Sequence, residues 1–235
     1  MEPMTTTFIT GANKGLGYET ARRLIDAGHA VILGARNPDL GRRAAGELGA
    51  RFVPVDVTDD VSVAAAAADV AAHEGHIDVL INNAGIIGRR TETLDELTGA
   101  DATEVFDTNA VSIVRVTHAF LPLLRLGSEP RVVNVTSGLG SQTLTHDPDR
   151  VESHVVSPLY NGSKAAVTMI TMQYAKGIPD VRFNAADPGY TATDLNGNSG
   201  TQTVTEGTDA IVALATEPAQ AGTGRVIDRY GDVPW

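Results

Sequence analysis

The 235-residue sequence contains no cysteine. A disulfide framework, a zinc–thiolate site and a thiol nucleophile are therefore all excluded. Positive charge is also scarce: 18 Lys and Arg stand against 29 Asp and Glu, for a formal net charge of −11. Nucleic acid and anionic membrane surfaces need a basic footprint, so neither is expected as the main partner. The acidity reads as a device for solubility, and any anionic ligand must be held by a local set of donors. No long uninterrupted apolar span occurs, so no transmembrane helix is expected. Residues 1–7 hold no basic region followed by an apolar core, which makes a secretory signal unexpected and a cytoplasmic location the expectation. Either Met1 or Met4 can serve as the start. There is no internal repeat and no low-complexity linker.

The sequence does hold short apolar runs alternating with longer helical stretches. Strands are expected at 6–10, 30–33, 51–55, 79–81, 131–136, 181–186 and 224–228. Helices are expected at 14–27, 40–48, 62–73, 102–125, 160–176 and 206–215. In the long 102–125 stretch, Val105, Asn109, Val116, Phe120 and Leu123 recur at helical spacing. Strict alternation of strand and helix predicts an α/β fold: one Rossmann domain over 1–235, a doubly wound parallel sheet of about seven strands with helices on both faces. Such sheets bind ligands beyond the carboxyl ends of their strands, so the chemistry should lie just after each strand. Two polar stretches read as long loops, an inserted one at about 141–157 and a substrate loop at about 195–203.

The first strand runs into Thr10-Gly11-Ala12-Asn13-Lys14-Gly15-Leu16-Gly17. Gly11 can turn sharply, Gly15 can let the backbone approach a pyrophosphate, and Gly17 can let helix and strand pack closely. The helix starting here would aim its free N–H groups and positive dipole end at phosphates. A glycine triplet alone is a weak signal, but its place between a strand and a helix in the first βαβ unit strengthens it. After the second strand an NAD-selective site usually places a carboxylate against the ribose 2′-hydroxyl. Arg36 stands there instead, and its planar fork suits a phosphate. With Lys14 as a second cation, it favours NADP(H) over NAD(H). Asp39 is the rival, an NAD-type carboxylate if the loop folds back.

Tyr160 and Lys164 stand at i and i+4 and so share a helix face. A free tyrosine, with a pKa of about 10, is a poor acid–base group at neutral pH. A nearby ammonium is expected to lower that value, and Tyr160 could then protonate a carbonyl oxygen as hydride reaches the carbon. Ser137 follows an apolar strand and could donate to the same oxygen, although a lone serine there is usually a turn residue. Asn109, on an apolar face, needs partners for its amide and could hold a water or the lysine.

The glycine loop, Asn82-Asn83-Ala84-Gly85, Asn109, Ser137, Tyr160 with Lys164, and Pro188-Gly189 stand in the order found in classical short-chain dehydrogenases/reductases, which the sequence resembles over nearly its whole length. The resemblance implies four catalytic positions. Tyr160 would be the general acid and Ser137 would orient the carbonyl. Lys164 would bond the nicotinamide ribose and tune Tyr160, and Asn109 would complete a water relay. It further implies that Asp56 and Val57 meet the adenine, that Asn83, Ala84 and Gly85 lie beside the adenosine ribose, and that the loop with Pro188, Gly189 and Thr193 meets the carboxamide. Asn13-Lys14, Thr193-Asp194-Leu195-Asn196-Gly197-Asn198, Thr205-Glu206-Gly207 and the closing Asp232-Val233-Pro234-Trp235 resemble the carbonyl reductase branch, whose members typically reduce ketones or aldehydes with NADPH.

Ser137 and Tyr160 are 23 positions apart, more than the family's usual gap. The carbonyl reductases carry a larger insertion there, one that tends to block four-chain assembly, so monomer and homo-oligomer both remain open. His146 and His154 in the insertion lack metal-ligand spacing, and Thr136 in place of the usual small residue looks harmless. The expected function is NADPH-dependent reduction of a small carbonyl compound. The alternatives are an NAD-dependent alcohol dehydrogenase and an NADP-binding sensor without turnover. The loops show few aromatic anchors and no particular substrate.

Overall fold

A computed structural model of the chain describes residues 4–235; Met1 as a start lies outside them. The elements run β1 (Thr6–Thr10), α1 (Gly15–Asp26), β2 (Ala30–Ala35), α2 (Pro38–Leu48), β3 (Arg51–Pro54), α3 (Asp60–His73) and β4 (Val79–Asn82). Then come α4 (Gly99–Phe106), a wide π turn (Asp107–Val111), α5 (Ser112–Leu124), β5 (Arg131–Val135), α6 (Gln142–His146) and α7 (Pro158–Gly177). The chain closes with β6 (Arg182–Ala186), α8 (Val204–Gly207), α9 (Asp209–Thr216), β7 (Val226–Asp228) and β8 (Gly231–Asp232).

The strands form one sheet in the order β3-β2-β1-β4-β5-β6-β7-β8. All pairs are parallel except β7 with β8. Chain order reverses between β1 and β4, which opens a crevice at their carboxyl ends. Side chains alternate across the sheet, as period two requires. Phe8, Leu80, Val132 and Phe183 pack on one face with Val70 of α3 and Phe120 of α5. Ile9, Leu33, Ile81 and Val133 face the other way, against Leu24 of α1 and Ile211 and Leu214 of α9. The Phe8 and Phe120 ring centroids are 4.5 Å apart.

The seven expected strands are all present, and the sheet carries an eighth. The extra one is a two-residue hairpin arm, turned by Asp228, whose Oδ1 accepts from the Tyr230 and Gly231 amides at 2.7 and 3.0 Å. So short a strand carries no periodicity to read. The expected helix 102–125 begins earlier, because Thr98 and Asp101 form a capping box ahead of Gly99. It is also divided by the π turn. The expected helix 206–215 splits into α8 and α9 at Thr208. The stretch 141–157 is not plain loop: it holds α6 and a 3₁₀ turn, Val151–His154. Another 3₁₀ turn, Asp194–Asn196, opens the stretch 195–203. No helix of the described residues is long and apolar enough to cross a membrane.

Candidate active site

A cleft of about 1540 Å³ runs along the carboxyl edge of the sheet. Gly11, Asn13, Lys14, Gly15, Leu16, Gly17, Arg36, Asp56, Val57, Asn83, Ala84, Gly85, Ser137, Tyr160, Lys164, Pro188, Gly189 and Thr193 all line it. Of the expected site residues only Asn109 lies behind the wall.

The glycine loop joins β1 to α1 with Gly11 and Gly15 in the left-handed region, at φ +65° and +56°. Gly17 is required by space. A Cβ there would come 2.5 Å from Asn83 Nδ2 and 2.7 Å from the Gly11 carbonyl oxygen. The Asn83 amide donates to the Thr10 and Gly11 carbonyls at 2.8 and 3.2 Å. Thr10 Oγ1 accepts from the Asn83 and Ala84 amides. The loop is thus tied to the segment after β4, and α1 begins with no side-chain cap on its first N–H groups. Those free donors, with bare glycine backbone before them, form a cradle that fits a pyrophosphate. Gly17→Ala must displace the Asn83 side chain and the backbone of Gly11 and Ala12. Overpacking of this kind typically costs about 1–3 kcal/mol. We expect a lower melting temperature and a nicotinamide dinucleotide Kd weaker by about tenfold or more, as read by calorimetry.

Arg36, just past β2, has its side chain 80% exposed, and its nearest carboxylate, Asp56, is 4.0 Å away. The guanidinium is open to a ligand phosphate. Lys14 lines the same cleft; its ammonium lies 3.1 Å from Asp194 in an exposed pair, linking the glycine loop to the turn that opens the 195–203 stretch. Asp39 does not fold back as a rival carboxylate. It lies in the first turn of α2 and pairs with Arg42 at 2.7 Å.

Tyr160 and Lys164 project from the first turns of α7. The Tyr160 ring partly faces the cleft while its hydroxyl end lies deep in the protein. Lys164 is only 5% exposed. Its Nζ sits 5.7 Å from the Tyr160 ring centroid and donates to the Val135 carbonyl at 2.8 Å. Burial pulls the lysine down to about 8, with Asp187 opposing. Burial pushes the Tyr160 phenol up to about 12; Asp187 adds to this and a hydrogen bond with Ser137 opposes it. The expected lowering of Tyr160 by the ammonium is therefore overturned in the cofactor-free chain. Burial is the largest cause, and the ammonium is not among the groups that lower the phenol.

Ser137 follows β5, and its Oγ accepts from the Leu139 amide at 3.2 Å. Thr136, read from the sequence as harmless, pins α7 to β5. Its Oγ1 donates to the Lys164 carbonyl at 3.0 Å and bonds Thr168 at 2.7 Å. Asn109 sits in the π turn. Its Nδ2 donates to the Ile86 carbonyl and to Ser163 Oγ, and its Oδ1 accepts from the Ile86 amide. The side chain thus joins the segment after β4 to α7, with no donor left over for a water. Asp187, at the end of β6, is a site residue that the sequence reading passes over, although its place at a strand's carboxyl end flags it.

The 141–157 stretch is anchored by the chain's end. Ser141 Oγ donates to the Pro234 carbonyl at 2.6 Å, and Thr143 bonds Trp235. Val151, Glu152 and Val155 bring it to the cleft, opposite Tyr190 and Leu195. Among the described residues no group of three His, Asp or Glu side chains could hold a metal.

The sequence matches the family described as short chain dehydrogenase over residues 5–203. A short-chain dehydrogenase from Penicillium roqueforti is 34% identical over 222 residues, covering 89% of this chain and 87% of the relative. A (+)-neomenthol dehydrogenase from Arabidopsis thaliana is 30% identical, covering 90% and 91%. The solved structure of an NADPH-bound carbonyl reductase from chicken fatty liver superposes with a TM-score of 0.86, at 28% identity and 99% coverage of both chains.

Proposed function

The chain belongs to the short-chain dehydrogenase/reductase family of nicotinamide-dependent oxidoreductases, and from that premise we propose that it reduces a ketone or aldehyde with NADPH, using Tyr160 as the general acid. One observation carries the reading: the Ser137, Tyr160 and Lys164 side chains meet at the end of β5, in the same cleft as the glycine loop.

A bound reduced nicotinamide would supply the hydride. The chain's own residues do the rest. Tyr160, held as the phenol, gives its proton to the carbonyl oxygen. Ser137 donates a hydrogen bond to the same oxygen and fixes the carbonyl's orientation. Lys164, fixed by the Val135 carbonyl, sets its ammonium beside the Tyr160 ring. Asn109 holds α7 against the segment after β4. The free N–H groups of α1 cradle the pyrophosphate, and Arg36 takes the 2′-phosphate.

The test is a panel of aromatic ketones, quinones and aldehydes mixed with the protein and NADPH. Loss of nicotinamide absorbance with at least one of them is expected. A folded chain that binds NADPH and turns over none of the panel would count for the sensor reading instead.

A further inference from the structure

The 141–157 insertion is polar in sequence, yet much of what it turns toward the cleft is apolar. Val151 and Val155 line the cleft, while His146, Asp147, Asp149, Arg150 and His154 of the same stretch are exposed and lie off its wall. Leu139, just past Ser137, continues the apolar surface, and Tyr190 and Leu195 add to it from the stretch after β6. Val151, Val155, Tyr190 and Leu195 are each at least 40% exposed. Scattered apolar side chains on a surface need no explanation, but several gathered around one cleft mark a place where a ligand packs.

This wall adjoins the reacting groups. The side-chain amide of Asn161, one residue beyond Tyr160, reaches the Val155 carbonyl at 3.5 Å. The insertion also closes over the residue after Ser137: the place of a Gly138 Cβ is 3.1 Å from Glu152 Oε1 and 3.3 Å from Leu144 Cδ1. The wall is held in place from behind. Leu144 packs with Ala185, Val226 and Val233 in a small buried cluster, and Ser141 Oγ donates to the Pro234 carbonyl at 2.6 Å. In the stretch after β6 the Tyr190 hydroxyl is bonded to Ser199 at 2.7 Å, so its polar atom is engaged and its ring is left for a ligand. Leu195 sits in a turn pinned by Asn196, whose side-chain amide donates to the Thr191 carbonyl at 2.8 Å. The charged neighbours do not add up to a counter-site. Glu152 is paired with Arg150 at 3.1 Å, and Arg90 and Glu104 line the same cleft with opposite signs.

We propose that Val151 and Val155 are specificity-determining residues, and that the substrate is a neutral ketone or aldehyde with a bulky apolar group that packs against them while its carbonyl meets Ser137 and Tyr160. The inference rests on the reading of the chain as a carbonyl reductase, and it names the substrate class of that site. A branched alkyl or alicyclic group leaves water for these valines, and the gain scales with the apolar area buried. A carboxylate of the same size would shed its hydration against them without finding a partner. Because the insertion is tied down at Ser141 and at Val155, little ordering is left for the ligand to drive.

Two cyclohexanones of nearly equal size test this, one with a tert-butyl group opposite the carbonyl and one with a carboxylate at the same carbon. Each is titrated by calorimetry into the full-length protein loaded with NADP⁺, which cannot reduce them, so binding is read without turnover. The tert-butyl ketone should bind more tightly by about ten- to a hundredfold. Val155→Asp should cut that preference by about tenfold or more. Val155→Thr, which keeps the shape of the side chain, should cut it by about threefold if the Asp variant folds poorly. The NADP⁺ dissociation constant of each variant checks that the cleft is intact. Equal binding of the two ketones, binding of neither, or tighter binding of the carboxylate, as Arg90 would favour, overturns the proposal. So does a preference that both folded variants retain. Failure of the functional reading would look different: the tert-butyl ketone would bind selectively, yet the NADPH-loaded protein would reduce neither it nor any member of the carbonyl panel.

Discussion

Tyr160→Phe should lower kcat for carbonyl reduction by about two to four orders of magnitude, the usual contribution of a positioned general acid, while the protein still folds and still binds cofactor. The substitution removes one hydroxyl and keeps the ring that partly faces the cleft. Apart from its hydrogen bond with Ser137 the phenol makes no tie between elements: the α7 helix is held to β5 by Thr136 and Lys164, and to the π turn by Asn109 through Ser163. Melting temperature and cofactor Kd should accordingly stay close to those of the parent. Ser137 remains to orient a carbonyl, so KM should change far less than kcat. The measurement is steady-state reduction of the best substrate from the carbonyl panel, backed by a single-turnover experiment to isolate the chemical step. Turnover within tenfold of the parent would remove Tyr160 from its assigned role. The raised phenol sharpens the expectation. A group held at about 12 is fully protonated at neutral pH, so the parent's reduction rate should not fall as pH rises through 7 on account of Tyr160.

Much of this arrangement is written in local chemistry. The glycine loop is legible because three constraints fall on adjacent residues: two left-handed turns at Gly11 and Gly15 and one close contact at Gly17. Tyr160 and Lys164 are legible as a pair because helical spacing puts them on one face. The parallel sheet follows from the alternation of short apolar runs with helical stretches. What periodicity cannot show is which polar groups meet across the sheet. Thr136 looks like a neutral exchange in sequence, and only its contacts with Lys164 and Thr168 reveal what it fixes. Asn109 reads as an amide on an apolar face; the π turn and its bonds to Ile86 depend on packing between distant segments. The pairing of Lys14 with Asp194, 180 residues away, is likewise invisible to local spacing. The direction of the Tyr160 shift has the same origin. Spacing shows a neighbouring ammonium, but the depth of burial that raises the phenol is a property of the folded cleft.

Arg36→Asp should reverse the choice of cofactor. In the parent the guanidinium stands free at the end of β2, with Asp56 4.0 Å away as its nearest carboxylate. A hydrogen bond to a charged group contributes about 1.5–3 kcal/mol, and about 1.4 kcal/mol is tenfold in affinity. Losing the contact to a 2′-phosphate should therefore weaken NADPH by about ten- to a hundredfold. The new carboxylate adds repulsion against that phosphate and offers an acceptor to a ribose 2′-hydroxyl, so NADH should bind as well or better. Arg36→Ala separates the two effects: it should lose NADPH affinity without gaining NADH. Fluorescence titration of each cofactor into each variant gives the dissociation constants directly, with no need for a substrate. If the NADPH-to-NADH ratio is the same in parent and Arg36→Asp, Arg36 does not read the phosphate, and any preference for NADP must come from elsewhere on the wall formed by Asp56, Val57 and Thr58.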